Sequence, residues 1–394
     1  MRVAILGTRG IPARYGGFET FAEELSARLA ARGHQVTVYC RQRPSASEYR
    51  GVKLRYLPTI RHKYLETIAH TFLSTLDLAA RQLGREPQQA ALYCNAANAI
   101  FTFIPRLCGV AAALNVDGLE RHRKKWNAAA KAWYRASEWL ATWMPNAVVT
   151  DAQRIADYYR SRYGRESEMI PYGAETGAVE TTEALKRLGL ERRRYFLYVS
   201  RLEPENNALR VREAFEKVNT DFKLALVGDA PYAAGYIAKV KNTRDPRVVI
   251  PGAIYGQGYR ELDSHCFAYI HATEVGGTHP ALIEAMGRGA LTLYLNTPEN
   301  EEVAGGAGIP FAHANLEAGA GPARRGERPA NSSSAASVAR ASSLEEVLRR
   351  VLEMPEEERN EWRRRAVNRV RERYSWEAVT DRYEALLTRL ATKS

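Results

Sequence analysis

The chain has 394 residues, 45% of them hydrophobic, enough to bury two cores of ordinary domain size. Its formal net charge of +12 suits a polyanion, an anionic lipid face or a phosphorylated substrate and does not choose among them. No stretch reaches the roughly 20 apolar residues of a membrane span, and the start, Met1-Arg-Val-Ala-Ile-Leu-Gly, is expected to enter a strand directly, without a basic and apolar stretch of signal-peptide type. Cys40, Cys94, Cys108 and Cys266 sit in apolar runs and form no C-x-x-C pair, so buried free thiols and a cytoplasmic protein are expected.

Residues 2–6 read as a buried strand. The loop Gly7-Thr-Arg-Gly-Ile-Pro-Ala-Arg-Tyr-Gly-Gly17 follows, then a helix with Phe21, Leu25 and Leu29 at four-residue spacing, closed by Gly33. A second strand over 34–40 completes a βαβ opening, the signature of a parallel sheet. A dinucleotide fold requires G-x-G-x-x-G and an acidic residue ending the second strand. Here the glycines are Gly7, Gly10, Gly16 and Gly17 and the strand ends Cys40-Arg41, which disfavours an NAD enzyme. The longer loop still suits a phosphate at a helix N-terminus, with Gly16 and Gly17 at the point of closest approach.

Strands are expected at 51–57, 90–95 and 110–116, with an amphipathic helix over 64–83. The strand at 110–116 ends in Asp117-Gly118, either a ligand-facing position at a strand carboxyl end or a plain turn. Helices over 127–143 and 152–163 flank a strand at 147–150, and Ile170-Pro-Tyr172-Gly173 reads as an interdomain crossing.

A second α/β lobe opens with a strand at 195–199 running into Ser200-Arg201-Leu-Glu-Pro-Glu205-Asn206. Arg201 is a phosphate clamp or a surface arginine paired with Glu203 or Glu205. Strands at 223–227, ending Gly228-Asp229, and at 248–250 follow. Then Glu274-Val-Gly-Gly277-Thr278-His279-Pro280-Ala281-Leu-Ile-Glu284-Ala reads as strand end, glycine turn and helix start. Such a junction presents free N–H groups and the positive end of the helix dipole, so it is an anion cradle or an ordinary βα loop. Residues 315–343 are rich in Gly, Ala, Ser, Arg and Pro and read as a mobile insertion. A last helix from Trp376 carries Val379, Tyr383, Leu386 and Leu390 as one apolar stripe.

Taken together these motifs resemble the retaining glycosyltransferases of the GT-B type, family four. The likeness is nearest to the branch of rhamnosyltransferases of bacterial surface polysaccharides with an N-terminal domain of the DUF1972 type. It is carried by the Gly7 to Glu19 loop, Val116-Asp-Gly-Leu-Glu with Lys125-Trp126, Ile170-Pro-Tyr-Gly173, Ser200 to Asn206, and Val275-Gly-Gly-Thr with Glu284-Ala-Met. The resemblance implies an α/β fold of two Rossmann-like parallel-sheet lobes facing across a cleft, with the C-terminal helix crossing back to the N-terminal lobe. It divides the chain into an acceptor-side domain at 1–173, a nucleotide-sugar domain at 174–374 and the helix at 375–394.

The resemblance also assigns roles. Arg201 would neutralise the donor diphosphate, where the family usually adds a lysine at the place of Asn206. Glu284 would hold the nucleotide ribose; the first glutamate of that paired motif falls at Gly276 and is missing. Asp117 stands where many relatives carry a histidine beside the reacting sugar. With these three as catalytic residues, the donor would be bound by Gly16, Gly17, Tyr172, Gly173, Glu205, Asn206, Gly228, Gly277, Thr278, His279, Pro280 and Ala281. The acceptor would meet Glu19, Arg121, Lys125 and Trp126.

The implied function is transfer of rhamnose or another hexose from a nucleotide sugar to a saccharide or lipid-linked saccharide in cell-surface polysaccharide synthesis. No Asp-x-Asp pair is present, so no metal and no cofactor beyond the donor are expected. Peripheral contact with an anionic membrane at the inner face is expected near Arg121 to Trp126 and Tyr64. The alternatives are a nucleotide-sugar epimerase or hydrolase on the same fold, and a basic polyanion-binding protein; nucleic acid is not expected as a partner.

Overall fold

Short apolar runs closed by glycine turns alternate with helical segments along the sequence, and the chain folds accordingly into two parallel sheets flanked by helices. The structure is a computed structural model that describes residues 1–392 except 14–15, 61, 63, 85–86, 124–125, 231–232 and 313–341. It divides into two units. One comprises Met1–Thr176, Val275–Glu284 and Val370–Ser394, the other Gly177–Glu274 and Ala285–Arg369.

The first unit runs β1 (Arg2–Leu6), α1 (Gly17–Ala31), β2 (Gln35–Cys40), β3 (Glu48–Tyr49), β4 (Val52–Tyr56), α2 (Glu66–Arg81) and β5 (Ala90–Cys94). It continues through α3 (Phe103–Leu107), β6 (Ala111–Asn115), α4 (Ala128–Leu140), β7 (Ala147–Thr150), α5 (Gln153–Tyr163) and β8 (Glu168–Met169). The strand order is β3-β4-β2-β1-β5-β6-β7-β8, parallel except for the short β3–β4 hairpin. Because β1 lies between β2 and β5, the order reverses there, and ligands of such sheets bind above the carboxyl ends at that reversal. The loop holding Gly16 and Gly17 rises from β1 at that point.

Helix α2 forms where its periodicity predicts, but its inward face is mostly polar. His70, Thr71, Ser74 and Thr75 are buried together with Leu78, whereas Leu65 just before it and Phe72, Leu73 and Leu76 on it are exposed. The cysteine expectation also needs one correction: Cys108 is exposed because it caps the solvent end of α3, while Cys40, Cys94 and Cys266 are buried free thiols.

The second unit runs α6 (Glu183–Leu188), β9 (Tyr195–Val199), α7 (Ala208–Glu216), β10 (Lys223–Val227), α8 (Ala234–Lys241), β11 (Val248–Gly252), α9 (Gln257–His265) and β12 (Ala268–His271). After α10 (Pro280–Gly287) come β13 (Leu291–Leu295), α11 (Pro298–Ala304), β14 (Ile309–Phe311), α12 (Leu344–Glu353) and α13 (Glu356–Arg373). Its strands pair in the order β11-β10-β9-β12-β13-β14, all parallel. The reversal falls at β9, so the segments after β9 and β12 occupy the ligand-binding edge. Of residues 315–343 only Ser342 and Ser343 are described. Ser343 closes a capping box with Glu346 at the start of α12 and so belongs to that helix.

The last helix, α14 (Trp376–Ala391), buries Trp376, Val379, Tyr383, Leu386 and Leu390, the stripe read from the sequence. It packs on the first sheet: Asn115 Nδ2 donates to Tyr383 Oη at 2.9 Å, and the Tyr383 ring lies 5.2 Å from Phe21. Arg32 on α1's end binds Glu377, Asp381 and Glu384 at 2.9, 2.7 and 2.6 Å. The return of the C-terminal helix to the N-terminal lobe is therefore observed.

Candidate functional site

In the first unit the site is built by close backbone approaches that only glycine permits. Gly16 caps α1, its carbonyl accepting the Glu19 and Thr20 N–H groups at 3.1 and 3.2 Å. A Cβ on Gly17 would stand 3.0 Å from Pro280 Cγ, and one on Gly118 would stand 2.8 Å from Gly276 C and Gly277 N. On Gly276 it would overlap the His279 ring, and on Gly277 the Asp151 carboxylate. The β1 loop, the turn after β6 and the turn before α10 thus meet at one place. Of the residues expected at the donor, Gly16, Gly17, Gly277, Thr278, His279, Pro280 and Ala281 are brought together here, with Glu284 half-buried in the second turn of α10.

Asp151, at the carboxyl end of β7, was not anticipated. Its Oδ2 accepts the Thr278 backbone N–H at 2.7 Å, and the Thr278 hydroxyl donates to the Asp151 carbonyl. The side chain is 1% exposed. A carboxylate therefore already sits at the α10 N-terminus, where the positive end of the dipole favours an anion. The rule that singled out Asp117 at the end of β6 would have found Asp151 one strand over.

Asp117 itself adopts φ +58, a left-handed conformation uncommon outside glycine. Its N–H donates to Asn115 Oδ1 at 3.0 Å, and Tyr172 Oη donates to its Oδ1 at 3.1 Å. Burial raises its pKa and Glu120 adds to the rise, while Arg123 and the Tyr172 hydroxyl pull the other way. Tyr172 is thereby committed to Asp117, with its ring edge-on to Phe21 at 5.4 Å. Gly173 makes room for the Trp376 ring, which a Cβ would overlap. Both had been expected at the donor; their contacts here are with the first unit's own core.

The second unit supplies a separate cluster. Arg201 follows β9, with Nη2 at 3.8 Å from Glu203 Oε2, one of the two pairings left open by the sequence. Asn206 Nδ2 donates to the Arg201 carbonyl and Tyr198 Oη to the Asn206 carbonyl, each at 2.7 Å, so the loop is braced from inside. Glu205 is fully buried, and neither carboxylate oxygen has a hydrogen-bond partner among the described residues. Gly228, at φ +154, lets the end of β10 meet the Ser200 carbonyl, which a Cβ would overlap. Glu274 accepts from Asn207 Nδ2 at 3.1 Å, and its N–H donates to the Glu205 carbonyl at 3.0 Å, joining the loops after β9 and β12.

The residues expected at the acceptor are mostly held by internal partners. Glu19 Oε1 accepts the Arg9 N–H at 2.9 Å. Arg121 Nε donates to both carboxylate oxygens of Glu138 at 2.9 and 3.1 Å, and Nη2 donates to Tyr158 Oη at 2.8 Å. Trp126 lies between Tyr64 and Tyr134, with its Nε1 donating to Glu120 at 3.3 Å. Lys125 lies outside the described residues. Among the described residues no three His, Cys, Asp or Glu side chains converge to hold a metal ion.

Comparison with known proteins agrees with this architecture. Residues 1–175 match the model of a family described as a domain of unknown function, DUF1972. No curated protein matches the sequence. Among solved structures the chain is similar to sucrose-phosphate synthase from Thermosynechococcus elongatus, at 16% identity, TM-score 0.77 and full coverage of both chains. It is also similar to HepE of Anabaena in complex with UDP-glucose, at 13% identity and TM-score 0.72 over 98% of this chain and 99% of that one. WaaG, a glycosyltransferase involved in lipopolysaccharide biosynthesis, aligns at 16% identity and TM-score 0.68 over 97% and 99%. The fold is that of the GT-B glycosyltransferases.

Proposed function

We propose that this protein is a retaining, metal-independent glycosyltransferase. It takes rhamnose or another hexose from a nucleotide-sugar donor to a saccharide or lipid-linked saccharide acceptor of a surface polysaccharide. The observation that carries the reading is the meeting of the Gly16-Gly17 loop with the Gly276 to Ala281 turn, two anion-suited junctions held within one unit. The structural likeness to a UDP-glucose complex supports a nucleoside diphosphate sugar as donor.

Glycosyl transfer develops positive charge on the sugar and negative charge on the departing diphosphate. In this reading the Gly16-Gly17 backbone and the α10 N-terminus of the first unit stabilise that negative charge and Glu284 holds the ribose, while the family resemblance alone assigns Arg201 of the second unit to the diphosphate. Asp117, oriented by Tyr172 and Asn115, positions the acceptor hydroxyl or takes its proton. Departure of the diphosphate on the face from which the acceptor enters gives retention without a carboxylate nucleophile.

The test is a thermal-shift panel of UDP-, GDP- and TDP-sugars, since a ligand that binds only the folded state raises the melting point. One nucleotide class is expected to stabilise the wild type and to lose its effect in Arg201→Ala. A flat panel, or wild-type turnover in Arg201→Ala, would sink the reading. Asp117→Asn should spare donor binding and suppress transfer.

A further inference from the structure

A glycine is required where the backbone takes a left-handed φ or where any side chain would strike a neighbour. Gly276 and Gly118 are of the second kind, since neither has φ in the left-handed range. On Gly276 the obstacle is the His279 imidazole. A Cβ there would stand 3.0 Å from each ring nitrogen and closer still to Cε1, and the three nearest atoms all belong to that ring. Gly118 abuts Gly276 in turn, for its own Cβ would stand 2.9 Å from Gly276 Cα. The turn that carries Asp117, the backbone of Gly276 and the ring of His279 are therefore in contact in series, all within the first unit.

The ring is held there by its place at the head of α10. Pro280 follows His279 and disfavours a helical backbone before it. The His279 carbonyl accepts the Leu282 and Ile283 N–H groups at 3.0 and 3.2 Å, so its backbone is tied to the first turn of the helix. Beyond Pro280 lies Gly17, whose Cβ would stand 3.0 Å from the proline ring. The half-buried His279 thus lies on the line of contacts that leads from the α10 N-terminus to Asp117.

In the proposed function those two features serve the departing diphosphate and the acceptor hydroxyl, and the sugar being transferred occupies the space that joins them. A sugar hydroxyl both donates and accepts, and an imidazole can answer it in either sense. A carboxylate at this place could only accept. It would also add negative charge beside the diphosphate, where Asp151 already brings one carboxylate to the Thr278 N–H. An imidazole meets the hexose without that repulsion.

We propose that His279 hydrogen-bonds a hydroxyl of the transferred hexose, and that Gly276 is bare so that the imidazole can reach it. His279 then selects for the sugar, while the α10 N-terminus holds the diphosphate. This rests on the donor reading above and adds to it the side chain that touches the sugar.

The experiment is titration calorimetry of the full chain with UDP, GDP and TDP and with UDP-glucose, GDP-mannose and TDP-rhamnose. The quantity read is the Kd of the nucleotide sugar relative to that of its own nucleoside diphosphate, for the nucleotide that binds the wild type. In His279→Ala this ratio is expected to rise about tenfold, the loss of one hydrogen bond to a desolvated hydroxyl, while the diphosphate alone binds within about twofold of wild type. Gly276→Ala keeps the imidazole but displaces it and should raise the ratio likewise. Urea midpoints report folding, and either variant suffices if the other does not fold. His279→Gln, which retains a donor and an acceptor, should recover most of the loss, a rescue that a merely structural role would not give. A ratio unchanged in the folded variants overturns the inference and leaves the donor reading standing. Equal weakening of diphosphate and conjugate overturns it as well, making His279 a residue that shapes the helix end. A wild type that binds none of the six ligands overturns the donor reading, and the inference falls with it.

Discussion

Asp151 Oδ2 accepts the Thr278 backbone N–H at 2.7 Å, so the first turn leading into α10 is already answered by a protein carboxylate. In the proposed function the donor diphosphate seeks the same positive helix end, and two anions cannot share it without repulsion. Asp151→Asn keeps an oxygen that can accept from Thr278 while removing the charge. Nucleoside diphosphate affinity measured by titration calorimetry is therefore expected to rise by roughly three- to tenfold. Weaker binding in Asp151→Asn would instead make Asp151 a residue that orders the turn for the donor.

Asp117 and Tyr172 form the second coupled pair. The tyrosine hydroxyl favours the charged carboxylate, so Tyr172→Phe should raise the Asp117 pKa further above the usual carboxylate range. Where ionised Asp117 serves transfer, the acid limb of the kcat/KM profile then moves to higher pH in the variant. A profile that stays in place while kcat falls would show that Tyr172 acts through packing against Phe21 and not through Asp117.

Gly173→Ala separates packing from donor contact. The added methyl would overlap the Trp376 indole, which lies at the start of α14. Overpacking of this kind costs about 1–3 kcal/mol, so the urea midpoint should fall with an unchanged slope. Donor KM in the surviving folded fraction should stay near wild type. A large KM change at unchanged stability would show that Gly173 meets the donor.

Legibility followed the physics of each signal. Both sheets were readable because buried parallel strands are continuous apolar runs closed by glycine, and α14 because its stripe faces its own core. The β3–β4 hairpin was not, since its two-residue turn is Arg50-Gly51 at φ +50 and +79, and arginine is not a residue that announces a left-handed turn. Helix α2 was found by period, but periodicity cannot say which side is inside when both a polar and an apolar face can be accommodated. In the site, glycine loops showed where backbones would approach. They did not show that Asp151 would be what approaches Gly277, because that contact joins residues 126 positions apart.

The underside of α2 sets a final expectation, for pH. Burial, with the charge of Arg41 beside it, pushes the His70 imidazole from an ordinary 6.5 down to about 4. The unfolded chain therefore binds the proton more readily than the native state between those values, and stability rises with pH across that window. In the other direction, acidification from 6.5 toward 4 removes stability, to a limit on the order of 3 kcal/mol from this group. The contribution of Asp117, with its pKa raised, has the opposite sign, because the native state holds its proton more tightly than the unfolded one. His70→Gln keeps a polar side chain at the site and cannot take up a proton in this range. Its melting temperature is expected to fall less steeply than that of the wild type between pH 6.5 and 4, with the curves parallel above 7. Parallel curves across the whole range would show that His70 does not carry the acid sensitivity of the first unit.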